Sequence, residues 1–104
     1  MALDAAAYTD LRNYIKRRVG HMRYRADGVF TEIQISDVQI RYDGVVRVQA
    51  AIVPDGVLTI DRVELYNSAS ELWAHQDVSI TIDREDPAVL YWFDFEIKEV
   101  ESNA

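Results

Sequence analysis

From His21 to the end of the chain, apolar and polar residues alternate with a period of two, and turn pairs such as Asp27-Gly28 and Asp43-Gly44 interrupt the alternation at short intervals. A period of two places successive side chains on opposite faces of an extended strand, so such a chain can bury only one face of each strand. In 104 residues that leaves room for one hydrophobic core. The expected fold is mainly β: a small antiparallel sandwich or barrel with one N-terminal helix, as a single domain over residues 1–104. Within it, residues 3–20 are assigned to the helix, 21–100 to the β domain and 101–104 to a frayed tail.

Turn chemistry carries the pattern further. Asp27-Gly28 joins the run Met22, Tyr24 to Val29, Thr31, Ile33 and Ile35 as a tight hairpin. Ser36-Asp37 breaks the parity, and Val38 and Ile40 begin a new strand. A two-residue loop at Asp43-Gly44 would oppose Ile40 to Arg47. A three-residue loop, Tyr42-Asp43-Gly44, opposes Ile40 to Val46 and Val38 to Val48, so Gly44 is expected in the left-handed region beside a bulge. The same reasoning at Pro54-Asp55-Gly56 opposes Ile52 to Leu58 and Ala50 to Ile60, as a further hairpin. Apolar parity slips between Ile60 and Val63, which predicts a bulge at Asp61-Arg62. The long central hairpin, Val57 to Ile82, turns at Asn67 to Ser70, and its apolar pattern opposes Leu65 to Leu72 and Val63 to Ala74. The last run, Ala88 to Val100, places Val89, Tyr91, Phe93, Phe95 and Ile97 on one face, which predicts a strand in the middle of the core. Its other face begins with Leu90 and Trp92 and ends with Asp94, Glu96 and Lys98.

Before His21 the period is helical. Asp4 is suited to the N-cap, Leu3 and Tyr8 to a hydrophobic staple, and Gly20 to the position just past the C-terminus. Ala7, Leu11, Tyr14, Ile15 and Val19 form one stripe, and Lys16, Arg17 and Arg18 fall in the last turn, where cations complement the helix dipole. Residues 1–25 hold six Lys or Arg against two Asp, a local +4, so the rest carries −11 to give the net −7. Such a split can orient contacts between proteins, and the acidic majority argues against nucleic acid as the main ligand. A single-stranded nucleic-acid site would need Arg12, Lys16 to Arg18, His21, Arg23 and Arg25 on one surface with Tyr14 or Tyr24 for stacking.

Residues with catalytic potential are sparse. There is no cysteine, which removes disulfides, thiolate metal sites and thiol nucleophiles. His21 and His75 lack ligand-spaced partners and occupy outward strand positions. Asp83, Glu85 and Asp86 lack the alternating ligands and central glycine of a calcium loop. No phosphate-binding glycine loop or nucleophile elbow is present. No enzyme activity, cofactor or metal is expected. The N-terminus lacks a basic and apolar leader, and no run of about 18 apolar residues occurs, so cytoplasmic synthesis and no membrane partner are expected. Trp73 and Trp92 stand on nominally wet strand faces, each marking either a second layer of the core or a contact surface.

The stretch Val63-Glu64-Leu65-Tyr66-Asn67-Ser68-Ala69-Ser70-Glu71-Leu72-Trp73-Ala74 resembles a hairpin of small proteins from phage and prophage tail modules, in which Glu-Leu-Tyr passes through a polar turn into Leu-Trp-Ala. Val89 to Ile97 is similar to the closing strand of that group. The likeness spans roughly residues 57 to 98 and departs from it at Ser68-Ala69-Ser70, where such turns commonly carry glycine. It implies a virion structural protein, assembled in the bacterial cytoplasm and carried in the tail, that acts by contacts with itself and with neighbouring tail or baseplate proteins. The contact residues expected are Tyr66, Trp73, Leu90 and Trp92, with Arg17 and Arg18 as charge complements to an acidic neighbour. The alternative is a carbohydrate-binding sandwich with Tyr66, Trp73 and Trp92 as sugar platforms.

Overall fold

The computed structural model describes residues 2–53, 56–83, 85 and 87–98. One helix, α1 (Ala5–Arg18), precedes seven strands: β1 (Val19–Ala26), β2 (Val29–Ile33), β3 (Ile35–Ile40), β4 (Val46–Ile52), β5 (Leu58–Asn67), β6 (Leu72–Ile82) and β7 (Val89–Phe95). They form two antiparallel sheets, one in the order β2-β1-β5-β6 and the other β3-β4-β7. Inward residues of both sheets, among them Met22, Val48, Ile52, Ile60, Leu65 and Ile82, are almost wholly removed from water and make one core. The expected sandwich with one N-terminal helix is therefore the fold observed.

Local turn chemistry positions most of the strands. Asp27 and Gly28 both have positive φ, 52° and 74°, and Ala26 pairs with Val29, a two-residue turn whose twist suits a hairpin. At the next turn Gly44 has φ 83°, its N–H donates to the Arg41 carbonyl at 2.9 Å, and Ile40 pairs with Val46 as the parity requires. Asp61 is the extra residue where β5 runs past Arg25 and Ala26 of β1. That bulge turns Ile60 and Val63 to the same side, and both are fully buried.

Four expectations are corrected. The helix ends at Arg18, and Val19 and Gly20 already belong to β1. Gly20 is an extra residue between the pairs Val19–Asn67 and His21–Tyr66, where a Cβ would overlap the Asn67 carbonyl. Its lack of a side chain thus serves a close backbone approach and not a helix cap. Second, β4 and β5 are not a hairpin: they lie in different sheets, and the chain crosses between layers after Ile52. Both arrangements turn Ile52 and Leu58 inward, so parity cannot separate them; Pro54 and Asp55 lie outside the described residues. Third, among the described residues β7 is an edge strand, paired only with β4, from Val46–Phe95 to Ile52–Val89. Its aromatic face does look inward, but β4 holds the centre of that sheet. Residues 99–104, which include the expected strand end and tail, lie outside the described residues.

The fourth correction concerns the β5–β6 hairpin. Leu65 pairs with Ala74 and Tyr66 with Leu72, leaving Trp73 as an extra residue. Asn67 explains the part of the shift that the turn sets, and the bulge at Trp73 supplies the rest. Asn67 is buried, its Oδ1 accepts from the N–H groups of Ala69 at 3.0 Å and Glu71 at 2.9 Å, and its Nδ2 donates to Glu71 Oε1 at 3.0 Å. Asn67 therefore closes a three-residue loop, Ser68 to Ser70, with Ser70 at φ 60° in place of a glycine. The Ser68 N–H donates to the Arg18 carbonyl at 2.7 Å, which ties the end of α1 to this turn.

Candidate functional site

Of the six residues expected to make contacts, four fall on three separate surfaces, Leu90 with Trp92, Arg17, and Tyr66, while Arg18 is half-buried and Trp73 packs against Phe95. Leu90 and Trp92 lie together on the outer face of β7, 52% and 45% exposed. Beneath them Arg47 of β4 reaches across to Asp94 through two bonds of 2.9 Å, and its guanidinium carbon sits 4.5 Å from the centre of the Trp92 ring. A planar cation held by a two-pronged ion pair fixes the ring it lies against. The same hydrogen bonds hold the Asp94 carboxyl below the usual carboxylate range and raise Arg47 further. Beside this pair, Gln76 and Val78 of β6 face Leu90, Tyr91 and Trp92 of β7 across a shallow recess at the open side of the sandwich. The Tyr91 hydroxyl donates to Gln76 Oε1 at 2.7 Å.

Arg17 is exposed on α1, alongside Leu11 and Tyr14, which are 44% and 50% exposed. No residue of α1 is buried, although the helix is amphipathic. Its inward side mixes Ala7, Tyr8 and Ile15 with arginine: Arg12 approaches Gly44 of the β3–β4 turn and lies 5.4 Å from the Tyr8 ring. Arg18 is half-buried, and the Nε atoms of Arg12 and Arg18 are both shielded from solvent without a hydrogen-bond acceptor among the described residues. The expected stripe is thus divided, with Ala7 and Ile15 partly covered and Leu11 and Tyr14 facing water.

Tyr66 belongs to a cluster on the outer face of the four-stranded sheet, centred on a residue that apolar patterning gives no reason to choose. Glu64 is only 3% exposed although it lies on the outward side of β5. It accepts from Arg23 Nε, from Arg62 Nε at 2.8 Å and from the Tyr66 hydroxyl at 2.9 Å. Burial pushes its carboxyl upward, but these three donors outweigh burial and leave it below the usual value. Burial and the bond to Glu64 raise Tyr66. The Arg23 guanidinium carbon lies 3.8 Å from the Phe30 ring centre and 5.1 Å from that of Tyr66, and His21 stacks on Tyr66 at 5.0 Å. The run Arg-x-Glu-x-Tyr on one strand face was the only available signal, and its partners on β1 are visible only once the pairing is known.

Trp73 is only half-exposed and belongs to none of these three surfaces. Its bulge lets it meet Phe95 edge-on, with ring centres 6.1 Å apart, so it closes one end of the space between the sheets. The basic residues do not share one surface: Arg23 and Arg25 are engaged by Glu64 and Asp61, and Tyr24 is buried. Among the described residues no group of three His, Cys, Asp or Glu is placed to hold a metal ion, and no helix is long and apolar enough to cross a membrane. No protein-family model, curated protein or solved structure matches the chain.

Proposed function

We propose that this chain is a structural module of a phage or prophage tail, working without catalysis through contacts with itself and with neighbouring tail or baseplate proteins. The observation that carries this reading is α1, a helix of 14 residues with none of them buried. An isolated helix of this length is marginal in water. Here its inner side rests on a turn through a polar arginine while Leu11 and Tyr14 face outward. Lys16 and Arg17, exposed at its basic end, suit an acidic neighbour. An enzyme would more often gather its polar groups in a concave pocket; the best-formed polar cluster here, around Glu64, consists of groups that satisfy one another.

The carbohydrate-binding alternative needs its aromatics side by side. Tyr66 lies on the outer face of one sheet, Trp92 on the outer face of the other, and Trp73 packs against Phe95. That separation favours the assembly reading.

The test is incorporation. In particles purified from a lysogen encoding the chain, the tail fraction should contain it, and the double substitution Leu11→Lys, Tyr14→Lys should remove it while leaving the purified protein folded. Absence of the native chain from purified tails would overturn the proposal.

A further inference from the structure

Among the described residues, four strands leave one side unpaired: β2, β6, β3 and β7. An unpaired strand edge is a template for another chain, and folded proteins usually blunt it with shortness, charge or a bulge. Three of these edges are blunted. Strand β2 has five residues and carries Glu32; β3 is broken by the extra residue Ser36 and carries Asp37; β6 is broken at Trp73 and presents Asp77. Strand β7 has no such device. Its seven residues pair with β4 without a register shift, and it contains neither proline nor lysine. Its one charge, Asp94, is taken up by Arg47.

We infer that the free edge of β7 is a docking edge for a second copy of this chain, joined antiparallel about a two-fold axis so that two three-stranded sheets become one six-stranded sheet. It deepens the self-association in the function proposed above and rests on that part of it.

The choice of a second copy follows from charge and register. The chain carries −7, so an acid standing unpaired on a strand edge opposes pairing with a second copy. On β7 the one acid, Asp94, is already paired with Arg47 within each copy. The faces of two such strands match only when paired residues have the same parity. Centring the axis on Tyr91 sets Leu90 against the partner copy's Trp92, twice by symmetry, so each exposed apolar side chain covers the other. Centring it on Trp92 would set Leu90 against Asp94, whose carboxylate is already engaged. The register about Tyr91 is therefore assigned. The strand addition supplies backbone hydrogen bonds, and Leu90 and Trp92 supply the specificity.

A single strand pair makes a small interface, so the dimer should dissociate on dilution. Light scattering on the full chain should give a mass at least twice 12.0 kDa in concentrated solution. Leu90→Glu and Trp92→Glu, tested separately, should each halve that mass with thermal melting still cooperative, because each adds two negative charges across the axis. On the unsubstituted chain, amide exchange of residues 89–95 should slow with concentration while that of β2 stays constant. A wild-type mass of 12.0 kDa at every concentration overturns the inference. An oligomer that survives both substitutions, with exchange in β7 independent of concentration, also overturns it and leaves assembly through another surface in place.

Discussion

Replacing Gly20 by alanine tests how α1 is joined to the sheets. Gly20 is an extra residue in β1, and a Cβ built on it would overlap the carbonyl of Asn67 and lie 3.0 Å from the Tyr66 carbonyl oxygen. Both obstacles are main chain of β5, so no side-chain rotation relieves them, and β1 and β5 must separate. Overpacking of this kind costs about 1–3 kcal/mol, and a weakened ladder bond adds about 1 kcal/mol. Alanine also restricts the unfolded chain, which returns about 0.4–1 kcal/mol. The net expected loss is about 1–3.5 kcal/mol, equivalent to a melting temperature lower by roughly 5–25 °C in a chain of this size. Urea and thermal unfolding followed by circular dichroism measure it. Gly56→Ala is the comparison: with φ 131° but nothing within 4 Å of a Cβ, it should lose about 1–2 kcal/mol from backbone strain alone. A Gly20→Ala protein within about 0.5 kcal/mol of wild type would mean that Gly20 is a free helix end and that the described junction is wrong.

Further outcomes follow from single side chains. Glu64→Gln should lower stability at neutral pH by about 1–3 kcal/mol, because three donors lose a charged acceptor. Since the folded carboxyl titrates below its ordinary value of 4.5, its contribution is present above that pH and is lost as pH falls through the folded value, so the gap between the two proteins should close in acid; a gap constant from pH 7 to pH 3 would refute this. Asn67→Ala should lose about 2 kcal/mol in urea titration through the exposed turn N–H groups and the buried site it vacates, and an unchanged midpoint would refute its role as turn anchor. Trp73→Ala should lose about 2–3 kcal/mol of folding stability. Trp92→Ala should leave the isolated fold within about 1 kcal/mol of wild type and shift only the mass in solution; equal melting losses for both would contradict their placement inside and outside the sandwich.

What was legible in the sequence was local. Asp27-Gly28 and Tyr42-Asp43-Gly44 define their turns because only residues that tolerate positive φ fit them, and because a wrong loop length would put Arg47 opposite Ile40. The bulge at Asp61 was readable from the parity of Ile60 and Val63 alone. Sheet membership was not readable, because an inward Ile52 followed by an inward Leu58 satisfies a hairpin and a crossing between sheets equally. The aromatic face of β7 pointed to the core, but burying one face does not require a neighbour on both sides. The Asn67 turn is one residue shorter than apolar matching suggests, because side-chain hydrogen bonds invisible to such matching decide it, and the bulge at Trp73 shifts the register by one more. Of the contact residues, the exposure of Leu90 and Trp92 agrees with their even-numbered positions, whereas the Glu64 cluster depends on a pairing between residues 41 apart in sequence. The phage-tail proposal draws on the likeness of the central hairpin and the closing strand and on α1, and it is tested by assembly.

The central claim, that this chain works by joining to copies of itself and to neighbours, is tested most directly by its mass in solution measured by light scattering over a dilution series. The account predicts a mass of at least twice 12.0 kDa in concentrated solution that falls toward 12.0 kDa on dilution. A mass of 12.0 kDa throughout, unchanged by salt, would contradict it.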